Sequence, residues 1–263
     1  MVRCLGSGDA AGDAAAHLAF QARMPPVPCR EDLAELATRL FRRTNRAAEV
    51  GVFRGDLAHS NLKRWPGEYY AVDAWRFRPL DSTQDKNYPD EATNEANYQA
   101  AYRATASFGP RVHLVRALSV DAARMFEDCS FDWIYLDALH TYGGLQDDLR
   151  AWWPKLRTGG LLSGDDFGDA NASSTGFDRF HVPVRNRTRP HTGASARRYD
   201  WGVIRATSSF ANEVGAILRT TYMHGTTSEG HSARRALLKE PPCYDQVAWY
   251  LVKPGRSRRG QNL

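Results

Sequence analysis

FDWIYLDALH (131–140) and GGLLSGDDF (159–167) are two short apolar runs that both end in carboxylates. Asp137 closes the first run, and Asp165 and Asp166 close the second. Between them, GGLQDDLRAWWPKL (143–156) carries Leu145, Leu149, Trp152, Trp153 and Leu156 at helical spacing. Strand, amphipathic helix and strand in that order form a parallel crossover unit. In open parallel sheets, ligands bind outside the carboxyl ends of the strands. Three oxygen donors at that edge suit a hard divalent cation. Each acid also has a plainer use: Asp137 as a turn cap, Asp165 and Asp166 as solvated loop acids. Their joint place on adjacent strand ends favours the cation site.

The flanking sequence repeats this alternation. REDLAELATRLFRR (30–43) spaces Leu33, Leu36, Leu40 and Phe41 as a helix does. AAEVGVF (47–53) reads as a strand running into a glycine turn. DLAHSNLKRW (56–65) reads as a helix with Leu57 and Leu62 inward, ended by Pro66-Gly67. EYYAVDAW (68–75) is a second strand. Residues 92–108 form a helix ended by Gly109-Pro110, and RVHLVRAL (111–118) a third strand. Ser119 is placed to cap a helix over 120–128. FDWIYLD and LLSGDDF are the fourth and fifth strands, with Thr158-Gly159-Gly160 ending the helix between them. Later residues predict a helix over 209–220, a short strand over 220–225 and a last strand over 247–254. The expected fold is α/β, a Rossmann-like, doubly wound, mostly parallel sheet.

The 263 residues, 42 % hydrophobic and 11 % aromatic, suffice for one sizeable core. Residues 1–29 are expected to be a flexible leader, 30–253 the folded domain and 254–263 a basic tail. Residues 168–200 form a long insertion after the fifth strand, rich in Gly, Ser, Thr and Arg, of the kind used as a lid or substrate loop. Its arginines suit either an acidic or sugar-phosphate acceptor or a solvated surface. A net charge of +5 is too small to indicate nucleic-acid binding. No apolar run reaches the roughly 18 residues of a membrane span, and no secretory signal is evident. Cys4, Cys29, Cys129 and Cys243 are scattered without a metal-binding spacing, so a reduced, cytoplasmic setting is the simpler expectation.

Glu49-Val-Gly51-Val-Phe53-Arg-Gly55 follows one strand and opens a helix. Dinucleotide enzymes need a glycine where Phe53 stands, because the pyrophosphate lies against the backbone there. S-adenosylmethionine (SAM) has no pyrophosphate. It needs a close backbone at Gly51, an acid for its ammonium group, which Glu49 can supply, and an acid for its ribose. Asp73 ends the second strand about 20 residues on, the spacing of a ribose acid. The plainer reading is an ordinary strand–turn–helix with two exposed acids. Asp73 tips the balance to SAM.

AAEVGVFRGDLA, YYAVDAW and the block from Phe131 to Phe167 together resemble the class I SAM-dependent methyltransferases. The resemblance is to the branch called methyltransferase family 24, with macrolide- and aminocoumarin-sugar O-methyltransferases, and to the related catechol O-methyltransferases. It spans about residues 46–167 and returns weakly at 201–253. It implies that the Glu49–Gly55 turn holds the methionine end of SAM, that Asp73 binds the ribose and that Ser119 lies beside the adenine. It also implies that Asp137, Asp165 and Asp166 ligate a metal, usually Mg²⁺, and that His140 stands at or near the catalytic base. The acceptor would then be a small hydroxylated molecule, a sugar or a phenol, with no membrane partner and no nucleic acid. Self-association stays open. Trp133, Trp152 and Trp153 read as packing residues, while Trp75 and Tyr142 fall close enough to line the site. The alternatives are a metal-independent methyltransferase, a nicotinamide-dependent oxidoreductase and a non-catalytic SAM-binding module.

Overall fold

The computed structural model describes residues 24, 26–76, 90–170, 177–178, 202–222 and 247–254. The basic tail, apart from residue 254, and most of the expected leader and the 168–200 insertion lie outside these residues. The strands are β1 (Arg46–Val50), β2 (Glu68–Asp73), β3 (Val112–Arg116), β4 (Phe131–Leu136), β5 (Leu156–Gly164), β6 (Asp169–Ala170), β7 (Phe177–Asp178), β8 (Arg219–Thr220) and β9 (Trp249–Val252). The helices are α1 (Asp56–Leu62), α2 (Glu91–Thr105), α3 (Ser119–Arg124), α4 (Tyr142–Trp152) and α5 (Val203–Val214). Seven strands form one sheet in the order β3-β2-β1-β4-β5-β9-β8. β1 to β5 are parallel to their neighbours, whereas β9 pairs antiparallel with both β5 and β8. This is the expected doubly wound, mostly parallel sheet.

The central strands β1 and β4 are buried on both faces, as parallel strands covered by helices must be. β4 shows the alternation. Trp133 and Tyr135 enter one core with Leu33, Leu62 and Trp65. Phe131, Ile134 and Leu136 enter the other with Leu149, Trp152 and Phe210. Trp133 and Trp152 are packing residues, each at most 1 % exposed. Burying a large apolar side chain this fully contributes roughly 1.5–3 kcal/mol. Trp153 packs edge-on against Phe210 at a centroid distance of 5.3 Å.

Register sets the working edge. Val50 pairs with both Val72 and Leu136, and Leu136 pairs with Gly164. Gly51, Asp73, Asp137 and Asp165 therefore emerge at nearly one level. β1 and β4 are the central pair, where the strand order reverses.

Several boundaries differ from the expectation. α4 stops at Trp152, because Pro154 lies in the next turn and cannot donate to a helix. β5 then begins at Leu156 and runs through Thr158–Gly160. A register shift lets Phe131 pair with Leu156 and Trp133 with Leu161. α5 spans Val203–Val214 rather than 209–220, because Gly215 terminates it in the left-handed conformation. α2 ends at Thr105 and passes into a 3-10 segment to Arg111. α3 ends at Arg124, and β8 is only two residues long. The expected single helix over 30–43 is a 3-10, α and π succession ending at Leu40, with Leu33 and Leu36 buried. The cysteines also differ: Cys29 and Cys129 are each disulfide-bonded. Wide spacing in sequence says nothing about proximity in space, which is why a reduced state looked simpler.

Candidate functional site

The turn after β1 is held by its neighbours on the sheet. The Gly51 amide donates to the Val72 carbonyl (2.8 Å), and the Asp137 amide to the Val50 carbonyl (2.7 Å). Gly51 has φ 92°, and a Cβ added there would stand 1.8 Å from the Asp137 carbonyl oxygen. Phe53 follows with φ 53°, and Gly55 opens α1. The Phe53 amide donates to Asp73 Oδ2 and the Trp75 amide to Asp73 Oδ1, both at 2.8 Å. The Trp75 indole donates to the Phe53 carbonyl (2.7 Å). Asp73 is thus fixed at the end of β2. Trp75 is fully buried and serves the turn rather than lining a cavity.

Glu49 turns away from this loop into the core. Its carboxyl accepts from Asn61 (3.1 Å) and from the Tyr69 hydroxyl. Burial pushes it up to about 8, against the pull of those two donors. Burial thus disfavours the charged form that an ammonium group would meet.

The acids sort themselves in a way the sequence does not show. Asp137 and Asp166 converge with His140. His140 Nε2 lies 3.2 Å from Asp137 Oδ1 and 3.6 Å from Asp166 Oδ2. One ligand atom from each of the three lies within 4.8 Å of the others. Burial alone would lower His140, but the contact with Asp137 and the charges of Asp166, Asp137 and Asp165 raise it to about 9. Two carboxylates and an imidazole nitrogen, drawn to one point, are a donor set that fits a divalent cation. Asp165 instead faces Arg30, whose guanidinium contacts its Oδ2 and also reaches Glu31 (3.3 Å). Burial pushes the Asp165 carboxyl up, and Arg30 opposes that. Asp166 has φ 54°, the left-handed conformation, and the two adjacent acids have different partners. Of the expected trio, Asp137 and Asp166 draw together around His140, while Asp165, close enough for its charge to act on His140, contacts Arg30.

Ser119 does not cap its helix, because Leu118 holds the N-cap position. Its hydroxyl accepts from the Trp152 indole (3.0 Å) and also bonds Asp148. Asp148 is 3 % exposed, and burial pushes it up to about 7 despite the Ser119 contact. Ser119 thus sits just beyond β3, near a 410 Å³ cavity that includes Ala74, Arg76, Ala117 and Leu118. Tyr142 opens α4, 37 % exposed, with the Arg205 guanidinium 5.5 Å from its ring centre. The sequence offered no cue to Arg30, which meets Asp165 across 135 residues, or to Asp148, which reads there as one more acid on a helix.

A parallel sheet with this strand order, a glycine turn after β1 and acids after β2, β4 and β5 defines the class I methyltransferase fold. A family model described as a methyltransferase domain, of the family 24 type, matches residues 48–167. No curated protein sequence matches the chain. Among solved structures, it is similar in fold to the O-methyltransferase TomG from Streptomyces achromogenes, involved in tomaymycin synthesis and solved in complex with SAM. That alignment has 16 % identity and a TM-score of 0.51, and covers 95 % of this chain and 92 % of the other. A putative caffeoyl-CoA O-methyltransferase from Staphylococcus aureus aligns with 13 % identity, a TM-score of 0.51 and 90 % coverage of each chain. Among the described residues, no helix is long and apolar enough to cross a membrane.

Proposed function

We propose that this protein transfers the methyl group of SAM to a hydroxyl of a small sugar or phenolic acceptor, with a divalent cation, Mg²⁺ or another, bound beside the transfer site. One observation carries this reading. The Gly51 turn lies against the Asp137 backbone, so the turn for the methionine end of SAM and the carboxylates for the cation share one wall. That both solved relatives are named O-methyltransferases supports oxygen as the receiving atom.

Gly51, Phe53 and Gly55 supply the backbone for the methionine end, Asp73 accepts from the ribose hydroxyls, and Ser119 lies beside the adenine. Asp137 and Asp166 would hold the cation, whose charge would favour deprotonation of a neighbouring acceptor hydroxyl. Most of the rate comes from alignment, because the sulfonium is already a good leaving group. The acceptor oxygen forms its bond to the methyl carbon as the carbon–sulfur bond breaks, and its proton passes to His140. His140 must be neutral to accept that proton, so the negative charge of Asp137 and Asp166 has to be offset first. Arg30 on Asp165 favours a second reading, transfer without a metal, in which the acids only shape the pocket.

Calorimetry tests the cofactor: SAM or its demethylated product should bind and NAD(P) should not. Absence of SAM binding at millimolar concentration would sink the proposal. Labelled SAM with a panel of hydroxylated acceptors, with Mg²⁺ or with EDTA, tests the rest. Undiminished turnover in EDTA would leave only the metal-free reading.

A further inference from the structure

We propose that Gly202 is a positioning residue, clasping the loops after β4 and β5 and so fixing the separation of the carboxylates at the cation site. The inference rests on the cation reading above and deepens it. The loop after β4 carries Asp137 and His140, and the loop after β5 carries Asp165 and Asp166. The pairing of β4 with β5 ends at Leu136 and Gly164, with one further bond from the Asp165 amide to the Leu136 carbonyl (3.2 Å). Past that point the start of α5 joins the two loops. The Gly202 amide donates to the His140 carbonyl (2.9 Å), and the amides of Val203 and Ile204 donate to the Gly168 carbonyl (3.1 and 3.4 Å). The first amides of a helix have no partner inside it, and no side chain caps α5. One carbonyl from each loop does so instead. His140 lies three residues after Asp137, and Gly168 two after Asp166.

The clasp closes because residue 202 has no side chain. A Cβ there would stand 2.8 Å from Tyr142 Cβ and 3.0 Å from the Tyr142 amide nitrogen. Neither atom can swing aside, because Tyr142 is the first residue of α4 and Thr141 caps that helix by accepting from the Gly144 amide (3.1 Å). The Arg205 guanidinium, 2.9 Å from the same point, is the far end of a flexible side chain and can move. Gly202 has φ −149°, so the need is for space and not for a left-handed turn. A side chain here would push α5 away from the loop after β4 and loosen the hold on His140 and Asp137. Mg²⁺ is sensitive to such a shift, since it demands near-octahedral ligands at about 2.0–2.1 Å.

The experiment is calorimetric titration of the full chain with Mg²⁺ and, separately, with SAM. Gly202→Ala should weaken Mg²⁺ by about tenfold or more, the scale seen when outer groups at a metal site are altered, and should leave SAM affinity unchanged. Gly215→Ala is the control. It strains the other end of α5, where Gly215 is left-handed and an added Cβ would meet nothing within 4 Å, and it should leave both affinities as in the parent. An unchanged Mg²⁺ affinity in Gly202→Ala, an equal loss in Gly215→Ala or a matching loss of SAM affinity would overturn the proposal. If Gly202→Ala does not fold, hydrogen exchange in the parent decides. Mg²⁺ at a hundred times its Kd should raise protection of the Gly202 amide by about tenfold or more, because opening of the clasp competes with ion binding. Unchanged protection also overturns the proposal. A parent chain that binds SAM but not Mg²⁺ overturns the cation reading and this inference with it. A parent that binds Mg²⁺ no better than Gly202→Ala does overturns this inference alone.

Discussion

Gly51 and Asp137 touch through their backbones: a Cβ on residue 51 would lie 1.8 Å from the Asp137 carbonyl oxygen. Neither group can withdraw, because the Asp137 amide is bonded to Val50 and the Gly51 amide to Val72. Gly51→Ala combines this overlap with a left-handed φ that alanine disfavours. The expected loss is roughly 3 kcal/mol of stability, together with loss of SAM affinity. Urea unfolding would expose an error in this account if the variant lost under about 1 kcal/mol, a surface-like effect.

Glu49 makes stability depend on pH. Its carboxyl rises from 4.5 to about 8 on folding, chiefly through burial. The folded chain thus holds more protons than the unfolded chain between those values. This contribution is complete below about 4.5 and is lost as pH rises through 8. Glu49→Gln keeps the shape and removes the titration, so it should gain on the parent by a few kcal/mol, in order of magnitude, on going from pH 5 to 9. Parallel pH profiles for the two proteins would contradict the burial of an ionisable group here.

His140 should titrate well above an ordinary imidazole. In the cation-free protein its pKa lies at about 9, and stability from its pairing is full below about 6.5 and lost as pH rises through 9. Asp137→Asn removes the 3.2 Å partner and should bring the value back toward 6.5. NMR titration of the ring protons measures this directly. A value near 6.5 in the parent would show that the three side chains do not converge.

Ser119 ties α3 to α4. Ser119→Ala leaves the fully buried Trp152 with no acceptor for its indole N–H, at a cost of roughly 1–3 kcal/mol. Thermal unfolding should show this loss, and Ser119→Thr should recover part of it. An alanine variant as stable as the parent would mean the indole finds another acceptor.

The acids after β2, β4 and β5 were legible because apolar strands that stop at carboxylates leave a mark within a few residues. The glycine turn was legible for the same reason, and Phe53 in it argued against a dinucleotide. What escaped depends on contacts between distant segments. Nothing near Arg30 signals Asp165, and nothing in GDD says that its two aspartates part company. Glu49 reads as an acid for an ammonium group because strand alternation does not reveal that Tyr69 and Asn61 meet it on the inner face. The start of β5 is hidden because Leu156 continues the helical spacing of α4 beyond Pro154. The start of the helix over Val203–Val214 is hidden because its first turn adjoins the arginine-rich insertion.

The left-handed backbone at Asp166 limits what can replace it. At φ 54° asparagine and glycine are the comfortable substitutes, while alanine is strained and valine or isoleucine more so. An alanine scan of the site would therefore mix two losses at this residue, a carboxylate and a backbone conformation, and would overstate the worth of the charge. The same limit narrows evolutionary drift. A descendant that abandons the cation can neutralise this position by a single step to asparagine or glycine without disturbing the turn.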